Sequence, residues 1–182
     1  MALVARAQAG DREAFEQLVR RHADRVYAVA RRLGLPSDAA EEVTQEAFLR
    51  AWRGIASFRG DARFFTWLYR IAVNEAKRRL EREPARTLVR SLDDEVAVQP
   101  PDMREEPYTR LAYAELRQAL AAAVLALPLK YRAPLILRDV KGLSTADAAA
   151  VLGLGEAALK SRLHRARAAI RGALQERLGH EL

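Results

Sequence analysis

The chain has 182 residues, with 31 Lys and Arg against 24 Asp and Glu, a formal charge of +7. Its half-hydrophobic composition excludes general disorder, and its lack of cysteine excludes disulfides, thiolate zinc sites and a cysteine nucleophile. His22, His164 and His180 stand at no metal-ligand spacing, and the longest apolar stretch, Ala119 to Leu129, is too short for a bilayer. These features point to a cytoplasmic protein with no metal, no cofactor and no membrane insertion, and its basic surface makes nucleic acid the first partner to consider.

From the N-terminus, Phe15, Leu18, Val19, Val26, Val29 and Leu33 recur at helical spacing, and Gly34 and Pro36 end the run. A second helix is predicted from Ser37 or Asp38 through Val43, Ala47, Phe48 and Trp52. The loop Ser57 to Asp61 then leads into a third, from about Ala62 to Arg82. Residues 83–110 carry a net −3 and include Pro84, Pro100, Pro101 and Pro107, whereas 1–82 and 111–182 each carry a net +5. The acidic, proline-bearing stretch reads as a linker between two basic helical modules. The C-terminal module is predicted to hold helices from about Leu111 to Leu127 and Tyr131 to Val140, then two more after Gly142. Strand-period alternation is absent. The expectation is an all-α protein of two small domains, 1–82 and 111–182, joined by an extended linker, 83–110.

The sharpest pattern lies between Leu143 and Leu174. Ser144 followed by Asp147 is a capping-box variant that opens a short Ala-rich helix, and Gly153-Leu154-Gly155 makes a tight turn into a longer one. Two helices around a short Gly-containing turn match a helix-turn-helix. At 100° per residue, Leu159, Leu163, Ala166, Ile170 and Leu174 form one stripe for the core. Opposite lie Ala157, Ser161, His164, Arg165, Ala168 and Gly172, and the small residues among them let the helix sit deep in a major groove. Ser161, His164 and Arg165 are the candidates for base edges, and Lys160, Arg162, Arg167 and Arg171 for phosphates, with Arg138 on the preceding helix.

The N-terminal module interleaves Phe58, Phe64, Phe65 and Trp67 with Arg53, Arg59, Arg63, Arg70, Lys77 and Arg78. Aromatic faces beside cations suit single-stranded nucleic acid, because bases stack while cations follow the backbone. Phe64 and Trp67 are read as core, and Phe58, in its Gly-containing loop, as the exposed ring. Glu41, Glu42, Gln45 and Glu46, with Phe48 and Trp52, form a different surface whose carboxylates cannot favour DNA and suit a basic protein partner.

The segment from Asp61 to Asn74 (Asp-Ala-Arg-Phe-Phe-Thr-Trp-Leu-Tyr-Arg-Ile-Ala-Val-Asn), with the preceding Ser57-Phe58-Arg59-Gly60, closely resembles region 2 of the extracytoplasmic-function sigma factors, particularly the sigma-E-like group. Leu159 to Arg167 resembles their region 4 recognition helix. The resemblance implies a non-enzymatic bacterial initiation factor that binds core RNA polymerase and directs it to promoters. By the same likeness, Glu41, Glu42, Gln45, Glu46, Phe48 and Trp52 would contact the polymerase clamp helices. Phe58, Arg59, Gly60, Asp61, Phe65, Arg70, Asn74, Lys77 and Arg78 would capture the melted −10 element. Region 4 would read −35 duplex while resting on the polymerase flap. An anti-sigma factor is the further partner implied.

Promoter elements roughly 17 base pairs apart are separated by about 58 Å at about 3.4 Å per pair. A linker over 83–110 spans at most about 92 Å extended, but only about 29–32 Å as a random coil. The tether therefore reaches without setting the spacing, and weak binding of promoter duplex by the free protein is expected. From the residues alone, a dimeric helix-turn-helix repressor, a helical enzyme or effector-binding adaptor, and a membrane-surface protein stay open. No phosphate loop or catalytic triad supports the enzyme.

Overall fold

A computed structural model describes residues 2–82 and 107–178, and all described regular structure is helical. The linker assignment from 83 to 106 lies outside the described residues.

The first helix, α1 (Ala2–Gln8), is a short element that the sequence pattern did not single out. Asp11 then caps α2 (Arg12–Arg32), accepting from the Ala14 amide at 3.0 Å, while the Arg6 Nε donates to it at 2.8 Å. The Ala14 amide first, and Arg6 second, hold the Asp11 carboxyl below its usual range. Gly34, at φ +101°, takes the left-handed turn that ends α2, and Pro36 flanks the start of α3 (Ser37–Gly54). A 3-10 turn, Ile55–Ser57, and a loop lead into α4 (Phe64–Arg82). Ala39, Ala40, Ala47 and Ala51 on α3, with Ala72 and Ala76 on α4, are buried where small side chains let the helices of the bundle approach closely. Phe15, Leu18, Val26, Val29, Val43 and Leu68 fill the core among them.

The C-terminal module opens with α5 (Pro107–Ala126), which starts inside the stretch read as linker. Proline suits a first helical turn, where its missing N–H costs no hydrogen bond, so it begins this helix rather than excluding one. The helix expected from Tyr131 to Val140 is instead α6 (Leu129–Leu135), passing into a π turn over Ile136–Val140 that the Lys141 amide closes onto the Ile136 carbonyl at 2.9 Å. Ser144 caps α7 (Thr145–Leu152), Gly153 ends it at φ +63°, and α8 (Glu156–Leu178) completes the helix-turn-helix. Leu159 and Ala166 are fully buried and Leu163 nearly so, which places the first part of the expected stripe in the core, while Ile170 and Leu174 are half-buried.

The two modules are in contact with each other. Helix α7 packs on α4, and the π turn reaches α2. One buried cluster runs through both modules, from Phe15 and Leu68 to Leu135, Ala148 and Leu159. Their mutual contact depends on apolar faces that helical periodicity had assigned only to each module's own core.

Candidate nucleic-acid and polymerase interfaces

On α8, helical periodicity turns Ala157, Ser161, His164, Arg165 and Ala168 outward, and all are exposed, while Gly172 is half-buried. Lys160 and Arg171 are exposed beside them; Arg162 and Arg138 are half-buried. Arg167 is committed elsewhere: its Nε and Nη2 donate to Asp139 at 2.9 and 2.7 Å, a bidentate pair that raises the guanidinium pKa. It ties α8 to the π turn rather than standing free for phosphate. Arg165 Nη1 donates to the Tyr131 hydroxyl at 3.5 Å, and this bond, ahead of the charges of Lys130 and Arg165, lowers the Tyr131 pKa.

In the N-terminal module the aromatic residues pack on one another. The Phe58 ring is half-buried, 5.1 Å from Trp67 and 6.0 Å from Phe64, so it is not the free stacking surface expected of it. Its loop position is held from a distance by Gln8, whose Nε2 donates to the carbonyls of Ile55 at 3.2 Å and Phe58 at 2.7 Å. Arg59, Gly60 and Asp61 form the exposed tip, with Gly60 at φ +78°. Phe65 is half-buried, with Tyr69 5.9 Å away and the Arg63 guanidinium over its ring. Arg70, Asn74, Lys77 and Arg78 are exposed along α4. Lys77 and Arg78 have carboxylate neighbours, Glu81 at 3.8 Å and Glu75 at 3.3 Å. Asn74 and Lys77 also line a cleft of about 610 Å³ between α4 and the C-terminal module, with Lys130 and Arg162 on its far side.

On α3, Glu41, Glu42 and Gln45 are exposed and Glu46 is half-buried. Arg79 of α4 pairs with Glu42 at 3.1 Å, and Arg50 with Glu46 at 2.8 Å. Phe48 is only 6% exposed, with its ring centroid 6.5 Å from that of Phe15, so it supports the helix from inside and is not a contact residue. Trp52 is half-buried, 4.9 Å from Phe15. The pattern missed Leu49, an apolar side chain 50% exposed four residues beyond Gln45. Its exposure was readable from the helix angle, but an apolar residue is assigned to a core by default.

The described residues thus comprise a helical bundle with an acidic ridge and a basic face, followed by a helix-turn-helix with a basic outward face. Residues 18–86 match the Sigma-70 region 2 family and residues 117–170 match Sigma-70 region 4. The chain is 38% identical to the ECF RNA polymerase sigma-E factor of Escherichia coli K12 over 178 residues, 95% of this chain and 93% of the relative. The chain belongs to the extracytoplasmic-function sigma factors.

This sigma factor is also 36% identical to the RNA polymerase sigma-H factor of Pseudomonas aeruginosa PAO1, over 95% of its own length and 92% of the relative's. Its fold is similar to that of CnrH in complex with the cytosolic domain of CnrY, with a TM-score of 0.70 and 31% identity over 96% of each chain. It is similar, too, to the sigma factor RpoE in complex with the anti-sigma factor NepR from Bartonella quintana, with a TM-score of 0.64 and 26% identity over 88% of this chain and 96% of that one. The sigma factor is a promoter-specificity factor for RNA polymerase and not an enzyme. Among its described residues no helix is long and apolar enough to cross a membrane.

Proposed function

We propose that the sigma factor divides promoter recognition between its two faces in the cytoplasm. Ser161, His164 and Arg165 read −35 base edges from the major groove, and Lys160, Arg162, Arg171 and Arg138 steer the phosphates. The loop from Phe58 to Asp61, with Phe65, Arg70, Asn74, Lys77 and Arg78, holds the opened −10 strand. Binding energy drives the melting, because captured bases offset an unstacking cost of a few kcal/mol. Glu41, Glu42, Gln45 and Glu46, joined by Leu49 and the edge of Trp52, meet the basic clamp surface of core polymerase, and region 4 rests on the flap. An anti-sigma factor covers these surfaces when transcription is off; both structural neighbours were captured with such partners or a cytosolic partner domain.

The observation that carries this reading is the opposition of faces on α8. A fully buried Leu159 lies on one side, with exposed Ser161, His164 and Arg165 on the other. A surface helix with no groove to enter has no need of small residues around its polar tips. Run-off transcription with bacterial core polymerase on a library of genomic fragments tests it. Discrete new transcripts are expected, and Arg165→Ala is expected to weaken them by about 10- to 100-fold, the value of one lost bidentate base contact, while co-elution with core stays unchanged. Transcripts identical with and without the sigma factor would overturn the reading.

A further inference from the structure

The cleft beside α4 is lined by four cations and a single carboxylate. Lys77 and Glu81 come from α4, Lys130 and Arg132 from α6, and Arg162 from α8. Lys77 and Glu81 stand 3.8 Å apart and offset each other. No described carboxylate forms an ion pair with Lys130, Arg132 or Arg162. Four cations against one carboxylate leave the cleft a net +3.

Arg132 sets the character of its floor. It is 6% exposed, and its Nη1 donates at 3.0 Å to the carbonyl of Leu33 at the end of α2. Gly34 leaves room for it, because a Cβ there would overlap the guanidinium. A helix-end carbonyl offers only a partial negative charge, and the Arg132 Nε finds no partner at all. Buried charges are ordinarily paired, so this one leaves the floor of the cleft without a counter-ion.

The walls are of another kind. Val73 of α4, Leu129 of α6 and Leu152 of α7 give the cleft an apolar side. Charges of one sign within low-dielectric walls focus the field and concentrate an opposite charge between them. The volume of about 610 Å³ falls within the range of small-molecule sites, which favour the seams between domains. It is larger than a bare phosphate needs, and the apolar side has nothing to offer one.

We propose that this cleft binds a nucleoside di- or triphosphate, its phosphates on Lys130 and Arg162 above the buried charge of Arg132, its base against Val73, Leu129 and Leu152. A lone carboxylate ligand would neutralise one of the three uncompensated cations, whereas a di- or triphosphate neutralises them together, and the fork of a guanidinium matches phosphate oxygens. The bound ligand occupies Lys77, Asn74 and Arg162, which then cannot hold promoter DNA. That consequence rests on the promoter reading above; the site itself does not.

Calorimetric titration of the free full-length chain with ADP, and separately with GDP, tests the site without DNA or polymerase. Saturable one-to-one binding is expected for at least one of them, with adenosine or guanosine alone and inorganic pyrophosphate each at least about tenfold weaker. Lys130 is exposed and outside both proposed DNA surfaces, so Lys130→Glu keeps the fold. It is expected to weaken nucleotide binding at least about tenfold, the value of one charge-assisted contact. Arg12→Glu makes the same charge change at an exposed position that does not line the cleft, and should cost less than about twofold at physiological salt. Leu129→Asn should weaken the nucleotide and leave pyrophosphate unchanged. Absent or unsaturable binding of both nucleotides would overturn the site, as would equal losses in Lys130→Glu and Arg12→Glu. Pyrophosphate binding as tightly as the nucleotide would remove the base from the proposal and overturn it as stated. Failure of the promoter reading leaves these titrations unchanged, so the two readings fail separately.

Discussion

Helix α8 of region 4 and the aromatic segment from Phe58 to Tyr69 of region 2 are both rich in cations and both belong to the proposed DNA-binding surfaces. They differ in what holds them. In α8 the helix alone decides each side chain's direction, so Leu159 is fully buried while Ser161, two residues on, is exposed. In the aromatic segment, Phe58, Phe64 and Trp67 are set by contact with one another and by Gln8 from another helix. A recognition surface on one continuous helix is specified locally, whereas one built on a loop is specified by distant residues.

The largest effect should come from confusing the two faces of α8. Leu159→Asp places a carboxylate where nothing is exposed and is expected to destabilise the protein by more than about 4 kcal/mol, whereas Ser161→Ala should stay within about 0.5 kcal/mol. Chemical denaturation of both variants measures this, and comparable losses would erase the distinction between the faces. A smaller effect should appear in region 2. Gln8→Ala removes the donor to two carbonyls and is expected to cost about 1–2 kcal/mol while altering the tryptophan fluorescence of the Trp67 cluster. An unchanged spectrum would show that the loop holds itself.

The smallest effect concerns pH. Burial, then the charges of Arg25 and Arg21, push the half-buried His22 imidazole below its ordinary 6.5, and its ring packs 5.6 Å from Phe64. The unfolded chain therefore binds this proton more readily than the folded one. The contribution of this group to stability is present above its unfolded value of 6.5 and is lost progressively as pH falls below it, through the lower folded-state value. His22→Gln should flatten that part of a stability–pH curve, and an unaltered slope would assign the acid sensitivity to other groups.

Helical periodicity made much of the fold legible. It located α2, α3 and α4, the helix-turn-helix, and the buried stripe of Leu159, Leu163 and Ala166 within a few residues. It did not reveal what depends on contacts between distant segments. Gln8 meets its acceptors 47 and 50 residues away. Phe48 carries the same hydrophobic signature whether it meets a partner or Phe15. Arg132 counts in a composition only as one more positive charge, yet it reaches across 99 residues of chain to the Leu33 carbonyl. Leu49 shows the converse, an apolar side chain that its residue type would place inside and that the helix angle and the fold leave half in water.

The bidentate grip of Asp139 on Arg167 has a consequence for the ionic atmosphere around bound DNA. Each phosphate neutralised by a free cation releases about 0.9 of a condensed counterion from duplex, and that release makes affinity fall with added salt. A guanidinium already neutralised within the fold releases none. The net charge of +7 therefore does not count the phosphates this chain can reach, and the steepness of its salt response is set by the fewer cations that no carboxylate has claimed.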